Sequence, residues 1–153
     1  MSVSPSPSPP ILAVDPGREK CGIAVVTTEG VIVQRQIAAR ADTVATVAAW
    51  WQTYQPGALL IGDSTGTREL AAELRAALPN VTLTAVNERN STLEARTLYW
   101  QHFPPRGWQR LIPLSLQVPP VPLDDFAAVV LAQRYLKLRQ EAALAPPDAV
   151  GAG

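Results

Sequence analysis

Three short apolar or β-branched segments follow one another near the N-terminus, with connections too short to hold a helix. Ile11-Leu-Ala-Val-Asp15 is an apolar run closed by Pro16-Gly17, residues 22–28 form a second segment, and residues 31–37 alternate as a third behind the turn Glu29-Gly30. A parallel return needs a dozen or more residues, so connections this short favour an antiparallel meander over crossovers.

Behind the meander the pattern turns to alternation. Asp42 and Thr43 are good helix caps before Val44, Val47, Ala48 and Trp51, which share a helical face, and Pro56-Gly57 stops that helix. Ala58-Leu-Leu-Ile61 is all apolar, the composition of a central strand covered on both faces. Residues 69–78 read as a helix and 81–86 as a fifth strand, and Ser91 or Asn90 caps a helix carrying Leu93, Ala95 and Leu98. Residues 103–123 are rich in proline, lack periodicity and read as a long loop before a last helix from Asp124 to about Glu141. The order β-β-β-α-β-α-β-α-loop-α predicts an α/β fold around a mixed sheet, with the connectivity of a ribonuclease H-like sheet and helices on both faces. Doubly wound folds alternate from the start and fit less well. The domain is expected over 11–142, between a loose Pro/Ser tail (1–10) and a second tail (143–153).

At 153 residues the chain is one domain by length. No apolar run approaches the ~18 residues of a membrane span, and the first ten residues have neither a basic nor an apolar leader region. The single cysteine, Cys21, excludes an intrachain disulfide and a cysteine-based zinc site, and reads as a small packing residue. The cytoplasm is therefore the expected compartment. Thirteen basic and thirteen acidic residues give zero net charge, which argues against nucleic-acid binding unless the charges are segregated. They are uneven: Arg89, Arg96, Arg106 and Arg110 share 89–110 with Glu94 as the sole acid, interleaved with Tyr99, Trp100, Phe103 and Trp108. Such a stretch suits a backbone-tracking, base-stacking surface; core aromatics with solvated arginines are an equal reading. His102, the only histidine, fits loop packing better than a proton shuttle.

Acids fall at three places where a sheet edge would expose them: Asp15 ends the first strand, Glu88 follows the fifth, and Asp124 and Asp125 open the last helix. Two like charges ~4 Å apart repel by ~4 kcal/mol at an effective dielectric of ~20. Mg²⁺ or Mn²⁺ would relieve that repulsion and could support phosphodiester cleavage by a two-metal arrangement. Each acid also has a structural reading. Asp15 could belong to a turn, Glu88 could pair with Arg89 or Arg96, Asp124 could be a helix N-cap, and Asp125 a first-turn acid favoured by the helix dipole. Asp63, in the Gly62-Asp-Ser-Thr-Gly-Thr67 segment, is a possible further ligand, with a loop or capping role as its alternative. The same segment could bring backbone N–H groups to a phosphate.

Taken in order, three segments resemble the RuvC and YqgF/RuvX nucleases. Asp15-Pro-Gly-Arg-Glu-Lys-Cys-Gly-Ile-Ala24 is similar to their first motif, Val86-Asn-Glu-Arg-Asn-Ser-Thr-Leu-Glu-Ala95 to the YqgF Asp-Glu-Arg motif, and Asp124-Asp-Phe-Ala-Ala128 to the start of the C-terminal helix. The likeness spans about residues 11–140. It departs from the family at Asn87, where an acid is usual, at Asn90, at Gly62-Asp63 without the expected proline, and in the long 103–123 loop. The resemblance implies a metal-dependent nuclease of ribonuclease H-like fold. Asp15, Glu88 and Asp124 take its three acidic positions, with Asp125 as the alternative third ligand. Lys20, Arg89, Arg96, Arg106 and Arg110 become candidate phosphate contacts. It further implies structured RNA, through 5′ end processing of the small-subunit (16S) ribosomal RNA precursor, or branched DNA such as a Holliday junction, as substrate, and a monomer or homodimer with no membrane association. A non-catalytic nucleic-acid-binding module of the same fold is the alternative from another class. A nucleotide-binding relative of sugar kinases would need a second, duplicated domain.

Overall fold

A computed structural model describes residues 8–64, 66–89, 91–105, 107, 111 and 122–144. The meander is present as β1 (Ile11–Asp15), β2 (Lys20–Val26) and β3 (Ile32–Ala39), antiparallel throughout, with a register shift at Val25/Val26. Gly30 makes the second turn with a positive φ of 88°, and Thr27 N–H donates to Val31 O at 2.8 Å. Then α1 (Arg40–Tyr54) leads to β4 (Ala58–Asp63), α2 (Thr67–Ala77) to β5 (Leu83–Asn87), and α3 (Ser91–His102) and α4 (Asp124–Leu144) complete the domain. The strands lie in the order β3-β2-β1-β4-β5, with β1–β4 and β4–β5 parallel. This is the expected α/β mixed sheet.

The period of two along each strand sorts the core into two faces. Leu12, Val14, Ile23, Val25, Leu59 and Ile61 pack beneath Val47 of α1 and Leu70, Ala71 and Leu74 of α2. Ile11, Ala13, Ala24, Val26, Leu60 and Val86 pack beneath Ala128, Val129, Leu131 and Ala132 of α4. α3 sits against α4 through Ala95, Tyr99, Trp100, Phe126, Ala127 and Val130. β1 and β4 are thus apolar on both faces because both are covered, as the uninterrupted runs of their sequence require.

Several boundaries differ from the sequence reading, each for a local reason. α1 starts at Arg40, so Asp42 and Thr43 are not its caps. β3 continues to Ala39, paired with Lys20, and the chain passes straight into the helix. Buried Thr43 instead donates its hydroxyl to Ala39 O at 3.0 Å. α2 opens at Thr67, two residues earlier than expected, because the Thr67 hydroxyl accepts Ser64 N–H at 2.7 Å and itself donates to Gly62 O. α4 reaches Leu144, past the expected end near Glu141. Of the expected tails, 8–10 and 143–144 are described: Pro10 O accepts Gly57 N–H at 2.9 Å, and 143–144 continue α4. Residues 1–7, 145–153 and most of the 103–123 loop, including Arg106 and Arg110, lie outside the described residues.

Candidate active site

Strand parity puts the acids on one face. Asp15 shares the α4 side of the sheet with Ile11 and Ala13, and Glu88 continues the Val86 side beyond the end of β5. Asp124 is the first residue of α4, which lies over that face. The three therefore converge from residues 15, 88 and 124. Their meeting shows in the Asp15 carboxyl, which is pushed up to about 9. Burial is the main cause; the hydrogen bond with the Glu88 carboxylate and the charges of Glu88 and Asp124 add to it.

Two glycines make this approach possible. Gly22 pairs with Asp15 across β1 and β2, and a Cβ there would fall on the main-chain carbonyl of Asp124. Gly62 lies beside Val86 in the sheet, and a Cβ there would fall on the Glu88 carboxylate. The turn carrying Glu88 is held by Asn87 Oδ1, which accepts Arg89 N–H at 2.7 Å, and by Glu88 O, which accepts Ser91 N–H at 2.9 Å. In this way the Asn87 side chain acts on the turn's backbone.

The two acids of α4 divide their work. Asp125 is buried, accepts Arg35 Nη1 on Oδ2 at 2.6 Å and its neighbour Phe126 N–H on Oδ1 at 3.0 Å. Arg35, which pairs with Ala24 and so shares the α4 face, stacks over the Phe126 ring at 4.4 Å. Both Asp125 oxygens are engaged, Oδ2 in holding α4 to β3 and Oδ1 on the backbone of α4's own first turn. Breaking such a buried pair leaves a charge without its partner, although Arg35 keeps some solvent contact. Asp125→Ala is therefore expected to cost about 2–3 kcal/mol in urea unfolding. A loss below about 0.5 kcal/mol, the level of an exposed pair, would refute the anchoring role.

Asp124 has different surroundings. The first carbonyl acceptor of α4 is Leu123 O, bonded by Ala127 N–H at 2.8 Å, so the N-cap position falls at Leu123 and not at Asp124. Asp124 Oδ2 and Glu88 Oε1 are both enclosed, and neither accepts a hydrogen bond from a described residue. Lys20 Nζ stands 3.7 Å from Asp124 Oδ2, with its side chain half exposed. Among the described residues no group of three or more His, Cys, Asp and Glu side chains is already arranged to hold a metal ion. The donor chemistry nevertheless fits one: two enclosed carboxylate oxygens without donors flank a third carboxyl that resists ionisation, and a hard divalent cation answers both conditions.

The remaining candidates fall elsewhere. Asp63 is exposed and belongs by parity to the opposite, α2 face, where it lines an open hollow of about 610 Å³ with Ser64, Thr67, Arg68 and Arg75. The structure does not bring it to Asp15. Ser64 N–H and Thr67 N–H are committed inside their own turn, to Gly62 O and Thr67 Oγ1 and to Ser64 O, which leaves neither free for a phosphate. Arg89 is exposed. Arg96 is partly buried, and its enclosed Nε has no partner among the described residues. Tyr99 and Trp100 are core residues, whereas Phe103 is exposed. Cys21 is buried, and His102 is exposed with its ring 5.7 Å from that of Phe126. Sequence reasoning passed over Arg35 and Arg134; strand alternation would have placed Arg35 on the α4 side, but no local signal marks Arg134.

No protein-family model matches the chain, and no curated protein sequence is similar to it. Among solved structures it is similar to Thermus thermophilus RuvC, with a TM-score of 0.55 and 17% identity over 86% of this chain and 96% of that one. A ROK family protein from Streptococcus pneumoniae overlaps less, with a TM-score of 0.41 and 12% identity over 59% of this chain and 38% of that one. The chain thus has a RuvC-like, ribonuclease H-like α/β fold. Among the described residues, no helix is long and apolar enough to cross a membrane.

Proposed function

We propose that this protein is a metal-dependent endonuclease of structured nucleic acid, with Asp15, Glu88 and Asp124 as the ligands of Mg²⁺ or Mn²⁺. One observation carries the reading: on a single face of the sheet Asp15 hydrogen-bonds Glu88 and feels the charge of Asp124, and the latter two each keep an enclosed oxygen with no hydrogen-bond donor among the described residues. A purely structural cluster would match such oxygens with hydrogen-bond donors.

When bound, the cation supplies the positive charge the carboxylates lack, lowers the pKa of water and offsets charge on the leaving oxygen. The chain's own part is placement. Asp15 is fixed at the end of the central strand, Glu88 is seated on Gly62, and Asp124 is brought in by the contact of α4 with Gly22. Lys20 and Arg89, half exposed and exposed respectively, are the described cations that would meet phosphate oxygens beside the acids.

The YqgF-like motifs favour the 5′ end of the small-subunit (16S) ribosomal RNA precursor as the substrate. The likeness of the motifs to the RuvC nucleases gives branched DNA as the second reading. Both are to be assayed with Mn²⁺ or Mg²⁺ against wild type and Glu88→Gln. Partners of metal ligands cost 10–100-fold when removed, so loss of a ligand should slow cleavage by roughly 100-fold or more. Wild type that binds either substrate and cuts neither would sink the catalytic reading in favour of a binding module; equal cutting by Glu88→Gln would remove Glu88 from the site.

A further inference from the structure

We infer that Arg134 of α4 is a positioning residue for Glu88, acting on the peptide that joins β5 to it. The inference rests on the metal-site reading above. Arg134 Nη1 donates to Asn87 O at 2.7 Å, and that oxygen belongs to the peptide whose N–H is Glu88's own. The other arm of the fork is occupied by Glu94 of α3, with Nε at 3.0 Å and Nη2 at 2.9 Å from Oε2. The guanidinium thus ties three elements together at the point where the strand stops and the acid begins. Its side chain is only 21% exposed, which limits the alternatives open to it.

A surface ion pair alone contributes little and constrains nothing beyond its two side chains. The bond to Asn87 O differs because it fixes a peptide plane. β5 is an edge strand, paired on one side by β4. Past Asn87 the sheet no longer defines the backbone, and the Glu88 carboxylate must still reach the oxygens of Asp15. Asn87 Oδ1 and the Ser91 N–H hold the turn from within, and Arg134 adds a tie from α4. The planar fork matters: it serves a carboxylate and a carbonyl at once in a fixed geometry, which a point charge does not reproduce. α4 therefore contributes twice. Its first residue is Asp124, and Arg134, ten positions on and about 15 Å along the axis, sets the strand end that carries Glu88. Any shift of α4 moves both contributions together.

The test is Mn²⁺ titration of the full chain, with free Mn²⁺ read by electron paramagnetic resonance, on wild type and Arg134→Met. Residues that orient metal ligands typically contribute 10–100-fold to affinity, so the Kd for Mn²⁺ is expected to rise about tenfold. Excess Mn²⁺ should return cleavage to within about threefold of wild type, because Arg134 touches neither metal nor substrate. An Arg134→Met protein that is folded and binds Mn²⁺ like wild type overturns the inference. Should that variant not fold, Glu94→Ala decides. This exposed carboxylate holds the other arm of the fork, and its loss is expected to weaken Mn²⁺ about threefold; unchanged affinity overturns the inference. Wild type that fails to bind Mn²⁺ would instead defeat the metal-site reading itself, so the two failures are distinguishable.

Discussion

Asp15→Asn is expected to make the protein more stable in EDTA and inactive in Mn²⁺. The Asp15 carboxyl, pushed up to about 9 from 3.8, keeps a proton in the folded state that the unfolded chain releases from about pH 4 upward. Folding then binds more protons than unfolding across that window. Stability is consequently lost as pH rises from about 4 to about 9, with a limiting slope on the order of 1 kcal/mol per pH unit. Asparagine is close in shape and never ionises, so the variant should lack this slope and should be the more stable protein at pH 8. Below pH 4 the two proteins should converge. In wild type, added Mn²⁺ should recover the lost stability by binding the folded state, at RT ln(1 + [L]/Kd); in Asp15→Asn it should recover little. Cleavage should fall by roughly 100-fold or more, as for any metal ligand. Thermal or urea unfolding in EDTA across pH 4–9 reads the first effect and the nuclease assay the second. An Asp15→Asn protein less stable than wild type at pH 8 would show that the carboxylate is satisfied in some other way, and the crowded-acid account would fail.

Much of this arrangement was legible before the structure. The meander, the alternation behind it and the covered central strands follow from connection lengths and from apolar runs whose period matches the sheet. The three acids could be singled out because each ends, follows or begins an element. The places that resisted reading are instructive in physical terms. Asp42 and Thr43 have strong capping preferences, yet the pairing of Ala39 with Lys20 fixes where β3 ends, and tertiary pairing overrides a local preference worth about 1 kcal/mol. Asp63 read as a possible further ligand within the Gly62–Thr67 segment; β4 runs on to Asp63, and counting parity from Ile61 sends it to the α2 face. Asp125 and Asp124 were hard to separate, since what distinguishes them is Arg35, ninety residues away in sequence from Asp125. Arg134 lay beyond reach for the same reason: its partners, Asn87 and Glu94, are set by helix packing.

The two glycines allow fold and site to be separated experimentally. Gly62→Ala is expected to leave the domain folded and to disable the acids. Gly62 has no positive φ to lose, and its new methyl would first meet the Glu88 side chain from Cγ to Oε1, which is able to swing aside. The stability cost should therefore stay near the low end of the ~1–3 kcal/mol range for overpacking. Displacing Glu88 removes the hydrogen bond and part of the charge that hold the Asp15 carboxyl up. The pH-dependent loss of stability in EDTA should then flatten, while Mn²⁺ affinity and cleavage should drop by roughly 100-fold. Gly22→Ala is the opposite case. Its methyl would meet the main chain of Asp124 and Asp125, where α4 enters the core, and that backbone cannot turn away as a side chain can. There the whole helix must lift, with its contacts to β1 and β2, so the cost should reach about 3 kcal/mol or more and site and fold should fail together. Urea unfolding in EDTA, with Mn²⁺ titration of whatever folds, distinguishes the two. If Gly62→Ala binds Mn²⁺ as tightly as wild type, the position of Glu88 over Gly62 is not the one in which it works, and its role as a ligand would have to be abandoned.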